Sequence, residues 1–473
     1  MTDVQLPLPI TYSLPTQSYQ DRLVSLLRGN LDFHNQGSGY ATHNFHSFPA
    51  KFPPQLPQQF INLLTNPGDI VLDPMQGSGT TILETLLSGR RGIGFDIDPL
   101  ALLISQVKTT PVNAAQVLQT SKAIVRNAAQ IAYDRPRDIL SALENRWNPG
   151  TQQFINYWFE ANSQIELMAL IQEIEKVPDP ALRNFYKLAF SAIIITKSGG
   201  VSLALDLAHT RPHRAKVVYS RYGELLEGQD LLQNPVPNLP HMTKTLRWPM
   251  EEFEKRVLAN VKGLLKPDQV LHSAQVIPGN AQAIPLPDCC VDLIITSPPY
   301  ASNAIDYMRA HKFSLVWLGY PIEQLGERRG EYIGGELVDN FQFEEMPEFS
   351  NDIVSQLVRI DKKKGAVLHR YYSEMTRVLR EMYRVLKPGR ASIVVVGTSQ
   401  MRGIDTQTQH CLADIGRQIG FEVPAIGIRN LDRNRRMMPA GNTIDQSSQI
   451  QQRMHQEYVI GLYKSQNYQE GEQ

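Results

Sequence analysis

A chain of 473 residues, 42% apolar and 20% charged, has the profile of a globular protein with a large core and more than one domain, not of a disordered or fibrous one. Its 47 basic and 47 acidic residues cancel, which argues against a chain that coats nucleic acid without selection but leaves room for a local basic face. Three cysteines, Cys289, Cys290 and Cys411, make no C-x-x-C pair and no zinc-like spacing with histidine, so neither disulfides nor a metal is expected. No apolar run is long enough to span a bilayer, and Met1 to Gln20 lacks the charged-then-apolar profile of a signal peptide; a cytoplasmic location is the default expectation.

Residues 1–42 read as an N-terminal arm, extended at its start. The stretch His43-Asn44-Phe45-His46-Ser47-Phe48-Pro49-Ala50-Lys51-Phe52 is too aromatic for a linker, and its histidines and Phe45 are read as a local aromatic cluster. Pro53-Pro54 opens a helix through Phe60, Ile61, Leu63 and Leu64, since proline is tolerated in a first turn. Asn66-Pro67-Gly68-Asp69 is a turn, and Ile70-Val71-Leu72 a short buried strand that runs into a glycine-rich loop. Thr80 to Ser88 reads as a helix closed by Gly89, Gly92 to Asp96 as the next strand, and Leu100 to Val107 as a second helix. This alternation with short connections begins a doubly wound parallel sheet, with 43–110 as its first half.

From 111 to 270 helical spacing dominates, over 124–131, 154–174, 182–195 and 250–265, and marks a mostly helical insertion. The α/β pattern resumes over 271–465, with strands at 275–277 and 291–296 and a helix over 307–318. A cap loop follows over 319–365; helical spacing returns from Met375 to Leu386, before a strand at 391–396. A helix over 411–419 and strands at 421–428 and 458–463 complete the domain, and 466–473 is a polar tail.

Two motifs carry chemistry. In Asp73-Pro74-Met75-Gln76-Gly77-Ser78-Gly79-Thr80-Thr81, glycines between a strand and a helix let the backbone approach a ligand without a Cβ in the way. A phosphate loop would need a lysine where Gly79 stands, and a dinucleotide fingerprint a glycine at Ile82, so the loop faces something smaller than a pyrophosphate. Asp96 ends the next strand, where a carboxylate can accept both ribose hydroxyls, with Asp98 as the fallback. The second motif, Ser297-Pro298-Pro299-Tyr300, ends the apolar run 291–296. Two prolines cannot continue a ladder, so the strand stops there in a rigid turn at the edge where open α/β sheets bind ligands. Its hydroxyl, fixed carbonyls and aromatic ring suit a grip on a flat base. Either motif alone is equally well a packing turn; together, and in this order, they favour a site.

The pair resembles the DNA amino-methyltransferases, which methylate cytosine N4 or adenine N6 with S-adenosylmethionine. The resemblance covers 43–107 and 275–400 and implies a Rossmann-like sheet of about seven strands with the last antiparallel. It implies that Asp73, Pro74, Gly77, Ser78, Gly79 and Thr80 cradle the methionine part of the cofactor, that Asp96 binds ribose, and that Asn280 with Ala281 meets the adenine. Phe48, Pro49 and Lys51 match a segment that closes over the methionine end. Ser297 Oγ and the Pro298 carbonyl would draw the amine lone pair out of conjugation, Pro299 would stiffen the turn, and Tyr300 would stack on a flipped base. Cytosine C5 chemistry needs a thiolate after a proline, and no cysteine follows one. A serine at the first position goes mainly with cytosine N4. Adenine N6, an RNA guanine-N2 enzyme and a silent binding module are the alternatives. The insertion precedes the Asn280 strand, a departure from the family order.

Double-stranded DNA is the expected partner, with a cognate restriction endonuclease as a second candidate, and no membrane and no metal. Lys197, Arg211, Arg214 and Lys216 are candidates for phosphate contact, with Arg433, Arg435 and Arg436 as the competing cluster; a solvated surface is the plainer reading of such runs.

Overall fold

A computed structural model describes residues 17–48, 51–196, 198–207, 212–234, 236–266, 270, 272, 274–301, 306–431 and 456–466. Seven strands form the main sheet: β1 (Ile70–Asp73), β2 (Arg91–Asp96), β3 (Ala274–Pro278), β4 (Val291–Thr296), β5 (Leu386–Val396), β6 (Glu422–Asn430) and β7 (Gln456–Lys464). Their order is β6-β7-β5-β4-β1-β2-β3. β7 pairs antiparallel with both β5 and β6, and the pairings from β5 across to β3 are all parallel. The chain winds outward from β1 through β2 in one direction and from β4 through β5 in the other. β1 and β4 therefore flank the topological switch point, where the strand ends leave a crevice. β4 is buried along its whole length, as an interior parallel strand should be.

Three helices fix the first half. Gln55–Leu64 and Thr80–Leu87 bracket β1, and Pro99–Thr109 follows β2, N-capped by Asp98, which accepts from the Leu100 and Ala101 N–H groups. The expected arm over 1–42 is corrected in part: Tyr19–Arg28 is a helix opened by a capping box between Ser18 and Asp21. Its Leu23, Leu26 and Leu27 join the core formed with β1, β4, β5 and β7.

The insertion contains the helices Ala114–Asp134, Pro136–Arg146, Pro149–Trp158, Ala161–Glu175, Pro180–Ile194 and Pro249–Val261. The single helix expected over 154–174 is two, because Glu160 leaves the helix and caps the Asn162 and Ser163 N–H groups. The insertion also holds a small sheet, Val217–Tyr219, Leu225–Glu227 and Thr243–Thr245. The loop expected over 319–365 is replaced by helices Ile322–Arg328 and Glu348–Ile360 and the start of Lys362–Val385. Burial of Ile353, Val354 and Leu357 holds the second of these, and Asp361 caps the third through the Lys364 N–H. Among the described residues no helix is long and apolar enough to cross a membrane, and no cluster of His, Cys, Asp and Glu has the geometry to hold a metal.

Candidate active site

The glycine loop leaves the end of β1 in a turn that its own backbone closes. The Gly79 N–H donates to the Gln76 carbonyl at 2.7 Å, and the Gln76 N–H to the Phe95 carbonyl at 3.0 Å. Gly77 and Gly79 have φ of +47° and +69°, the left-handed region in which a side chain is strained. Asp96, at the end of β2, accepts the Gly77 N–H at 2.8 Å and the Asp98 N–H at 2.9 Å, which ties loop and strand together. A cleft opens above these groups.

Of the residues expected to meet a cofactor, Phe48, Lys51, Asp73, Pro74, Gly77, Ser78, Thr80, Asp96, Asp98, Asn280 and Ala281 line this cleft. Gly79 sits beneath it as the N-cap of the helix Thr80–Leu87, and Pro49 lies outside the described residues. Phe48 covers Gly77, stacks on Tyr307 with centroids 5.2 Å apart, and so forms an aromatic wall. Ser297 and Pro299 line the same cleft from the end of β4. Pro298 is buried, and the Tyr300 hydroxyl donates to Glu457 Oε1 at 2.8 Å.

Burial pushes the Asp73 carboxyl up to about 6, against neighbouring hydroxyls of Thr296 and Thr81 and the Met75 N–H. Burial and then the charge of Asp98 push Asp96 up to about 7. Two buried carboxylates make a site fit for cationic and hydroxyl groups of a ligand. Asp98 is differently placed. One oxygen caps its helix; the other meets His311 Nδ1 at 2.5 Å and the Tyr332 hydroxyl at 3.0 Å. Burial raises its carboxyl, but the charge and hydrogen bond of His311 and the cap outweigh that and hold it below the ordinary value. Asp96 and Asp98 both line the cleft, but Asp98 is tied to side chains of two other segments, whereas Asp96 accepts from backbone N–H groups alone among the described contacts.

Several cleft residues escaped sequence reasoning. Tyr307 comes from the helix Tyr307–Leu315, whose buried His311 backs Asp98, and Glu331, Tyr332 and Ile333 come from the cap segment. Lys108, buried, donates to the Ser78 carbonyl at 2.6 Å and braces the glycine loop from below. A lysine on a helix carries no sequence signal for such a role. His43, Phe45 and His46 do not pack as one local cluster: each meets a different partner, Phe45 packing edge-on to Phe185. His43 sits edge-on to Tyr40 with Nε2 2.7 Å from Glu84, and His46 Nε2 meets Ser191 Oγ at 3.0 Å. Burial holds both below their ordinary value, His46 at about 3.

The basic candidates divide. Lys197, Arg211, Arg433, Arg435 and Arg436 lie outside the described residues. Lys216 is exposed at the rim of the small sheet. Arg214 does not present a free charge: its guanidinium grips both Glu227 oxygens at 2.6 and 2.7 Å and the Tyr157 carbonyl at 2.8 Å. Arg214→Ala is therefore expected to cost about 1 kcal/mol in denaturant unfolding and to leave the salt dependence of nucleic-acid binding unchanged. A reduced salt slope would show instead that the residue meets phosphate.

The family model described as DNA methylase, for N6/N4 methyltransferases, matches residues 28–106, which hold the glycine loop and Asp96. The chain is 26% identical to the type II methyltransferase M.MvaI of Kocuria varians over 423 residues, 84% of this chain and 86% of that one. It is 21% identical to the type II methyltransferase M.BsoBI of Geobacillus stearothermophilus over 457 residues, 86% of this chain and 82% of that one. A shorter match, 41% over 59 residues, joins it to the DNA adenine methyltransferase YhdJ of Escherichia coli K12, covering 12% of this chain and 20% of that one.

Proposed function

Because the chain belongs to the amino-methyltransferase family, we propose that it methylates the exocyclic N4 amine of cytosine in duplex DNA, as the modifying arm of a restriction system. The observation that carries this reading is the presence of Ser297 and Pro299 in one cleft with Asp73 and Asp96. S-adenosylmethionine is the methyl donor and, when bound, supplies an electrophilic methyl carbon.

The residues present fit that donor. Asp73 and the Gly77-Ser78-Gly79 backbone suit its methionine part, Asp96 its ribose hydroxyls, and Asn280 with Ala281 its adenine edge. Phe48 and Lys51 close the methionine end. Ser297 Oγ and the Pro298 carbonyl then face the base amine. Both accept its hydrogens, which turns the nitrogen lone pair out of ring conjugation. Pro298 and Pro299 fix the carbonyl before the base arrives, so little reorganisation is needed. The base must leave the duplex to reach this depth, and the Tyr300 ring offers it a stacking face. Serine at the first motif position favours cytosine N4. The match to a DNA adenine methyltransferase supports adenine N6 as the second reading. Lys216, exposed on the insertion, supports a phosphate contact there.

Asp96 gives the site a pH dependence of defined sign. With the carboxyl raised to about 7, the unliganded fold is stabilised by its protonated form and loses that contribution as pH rises from the ordinary carboxylate range to about 7. Ribose hydroxyls need the ionised acceptor, so cofactor affinity runs the other way. It is full above about pH 7 and falls by up to about tenfold per unit below it. Calorimetric titration across this range checks the slope; Asp96→Asn is expected to bind weakly and without it.

The proposal is tested by transfer of a labelled methyl group from S-adenosylmethionine to unmethylated duplex DNA in the presence of excess transfer RNA. Label retained in DNA supports it. Label found only in RNA overturns the DNA assignment and leaves the cofactor site standing.

A further inference from the structure

Tyr300 is tethered at its far end in a way that stacking alone does not require. A phenylalanine would offer a base the same ring, yet the Tyr300 hydroxyl donates to Glu457 Oε1 at 2.8 Å. The other oxygen of Glu457 is taken by Arg429 Nη1. Arg429 and Glu457 are Cα partners across β6 and β7, and both are buried, at 8% and 9% exposure. Taking two charges out of water is costly and, for stability alone, an apolar pair would serve as well.

The place of this pair accounts for it. Tyr458 pairs with Val396, the last residue of β5, so Glu457 lies just past the carboxyl end of β5. β5 stands between β4 and β7 in the sheet, and the Tyr300 side chain therefore crosses the end of β5 to reach Glu457. One end of Tyr300 is set by Pro298 and Pro299, the other by a carboxylate that a cross-strand arginine holds in place. The ring has no free end to swing. Stacking on a flipped base needs such a fixed plane, because a small misplacement of the amine relative to the methyl carbon costs rate steeply.

We infer that Glu457, held by Arg429, is a positioning residue for methyl transfer that sets the plane of the Tyr300 ring through its hydroxyl. This rests on the amino-methyltransferase reading of the site. It adds that the last two strands, which supply none of the residues named above as lining the cofactor cleft, act on the target base.

The test compares Tyr300→Phe, Glu457→Ala, Glu457→Gln and the Tyr300→Phe/Glu457→Ala double variant with the unmodified chain. Single-turnover methylation of unmethylated DNA and calorimetric binding of S-adenosylmethionine are the readouts. Tyr300→Phe leaves the Arg429–Glu457 pair intact, so it separates the tether from any folding defect of the Glu457 variants. Each single loss of the tether is expected to slow the methyl-transfer step about tenfold or more with cofactor affinity unchanged, as befits one hydrogen bond to a charged group. The double variant should be no slower than the worse single one, and Glu457→Gln, which still accepts from the hydroxyl, should recover most of the rate. Additive losses, a Tyr300→Phe rate equal to that of the unmodified chain, or no recovery in Glu457→Gln would overturn the inference while methylation by the unmodified chain keeps the reading it rests on. No methylation by the unmodified chain would overturn both.

Discussion

Ser297→Ala is expected to slow the methyl-transfer step by about 100-fold or more while S-adenosylmethionine binds as before. The serine sits at the end of β4, partly open to the cleft beside Pro299, while Pro298 is buried. Alanine removes one acceptor for an amine hydrogen and nothing else of size, so the amine is left conjugated with the ring and a poor nucleophile. Asp73, Asp96 and the glycine loop, which carry the cofactor in this account, keep their positions. A single-turnover rate and a calorimetric titration on the same preparation separate the two effects. A loss of cofactor affinity equal to the loss of rate would mean that Ser297 belongs to the cofactor's side of the cleft. An unchanged rate would contradict the acceptor role given to Ser297.

Gly79→Ala is the matching prediction for the cofactor half. At φ +69° an alanine is strained, by about 1–3 kcal/mol. Its Cβ would also fall 2.8 Å from Ser105 Cβ and 3.0 Å from Ser105 Cα. The obstacle includes backbone in the helix Pro99–Thr109, so no side-chain rotation relieves it. The loop must shift, and with it the Gly77 N–H that meets Asp96 and the Ser78 carbonyl that meets Lys108. Cofactor affinity is expected to fall by about tenfold or more, with a lower melting temperature. Gly68→Ala serves as the comparison: it too has a positive φ, +87°, but nothing lies within 4 Å of its Cβ and it is remote from the cleft lining. It should lose stability and keep cofactor affinity. Equal affinities in both variants would contradict the role given to the loop.

What could be read in advance was local. β1, β2 and β4 are short apolar runs stopped by residues whose backbone chemistry is decisive, Pro74 and the glycines after the first, Pro298 and Pro299 after the third. Those stops lie at the site, so the cleft floor was legible along with the strands. Helix Tyr19–Arg28 was legible too, in Ser18 and Asp21, but a proline-rich start pointed to an arm. The small sheet of the insertion was not, because strands of three residues show no period. The cap helix Glu348–Ile360 begins at Pro347 in a stretch of mixed charge, and burial rather than propensity decides it. The remaining site residues are long-range by nature. Tyr332 meets Asp98 across 234 positions, His311 meets it across 213, and Glu457 meets Tyr300 across 157. No local pattern encodes such pairs.

The central claim is that the Ser297-Pro298-Pro299-Tyr300 turn, set beside the cofactor cleft, directs a methyl group to a base amine of DNA. Nucleoside mass spectrometry of unmethylated DNA incubated with the protein and isotope-labelled S-adenosylmethionine tests it most directly, with Ser297→Ala run in parallel. The account predicts labelled N4-methylcytosine that disappears in the variant. Labelled N6-methyladenine would keep the site and correct the base. Labelled 5-methylcytosine, or a product undiminished by Ser297→Ala, would contradict it.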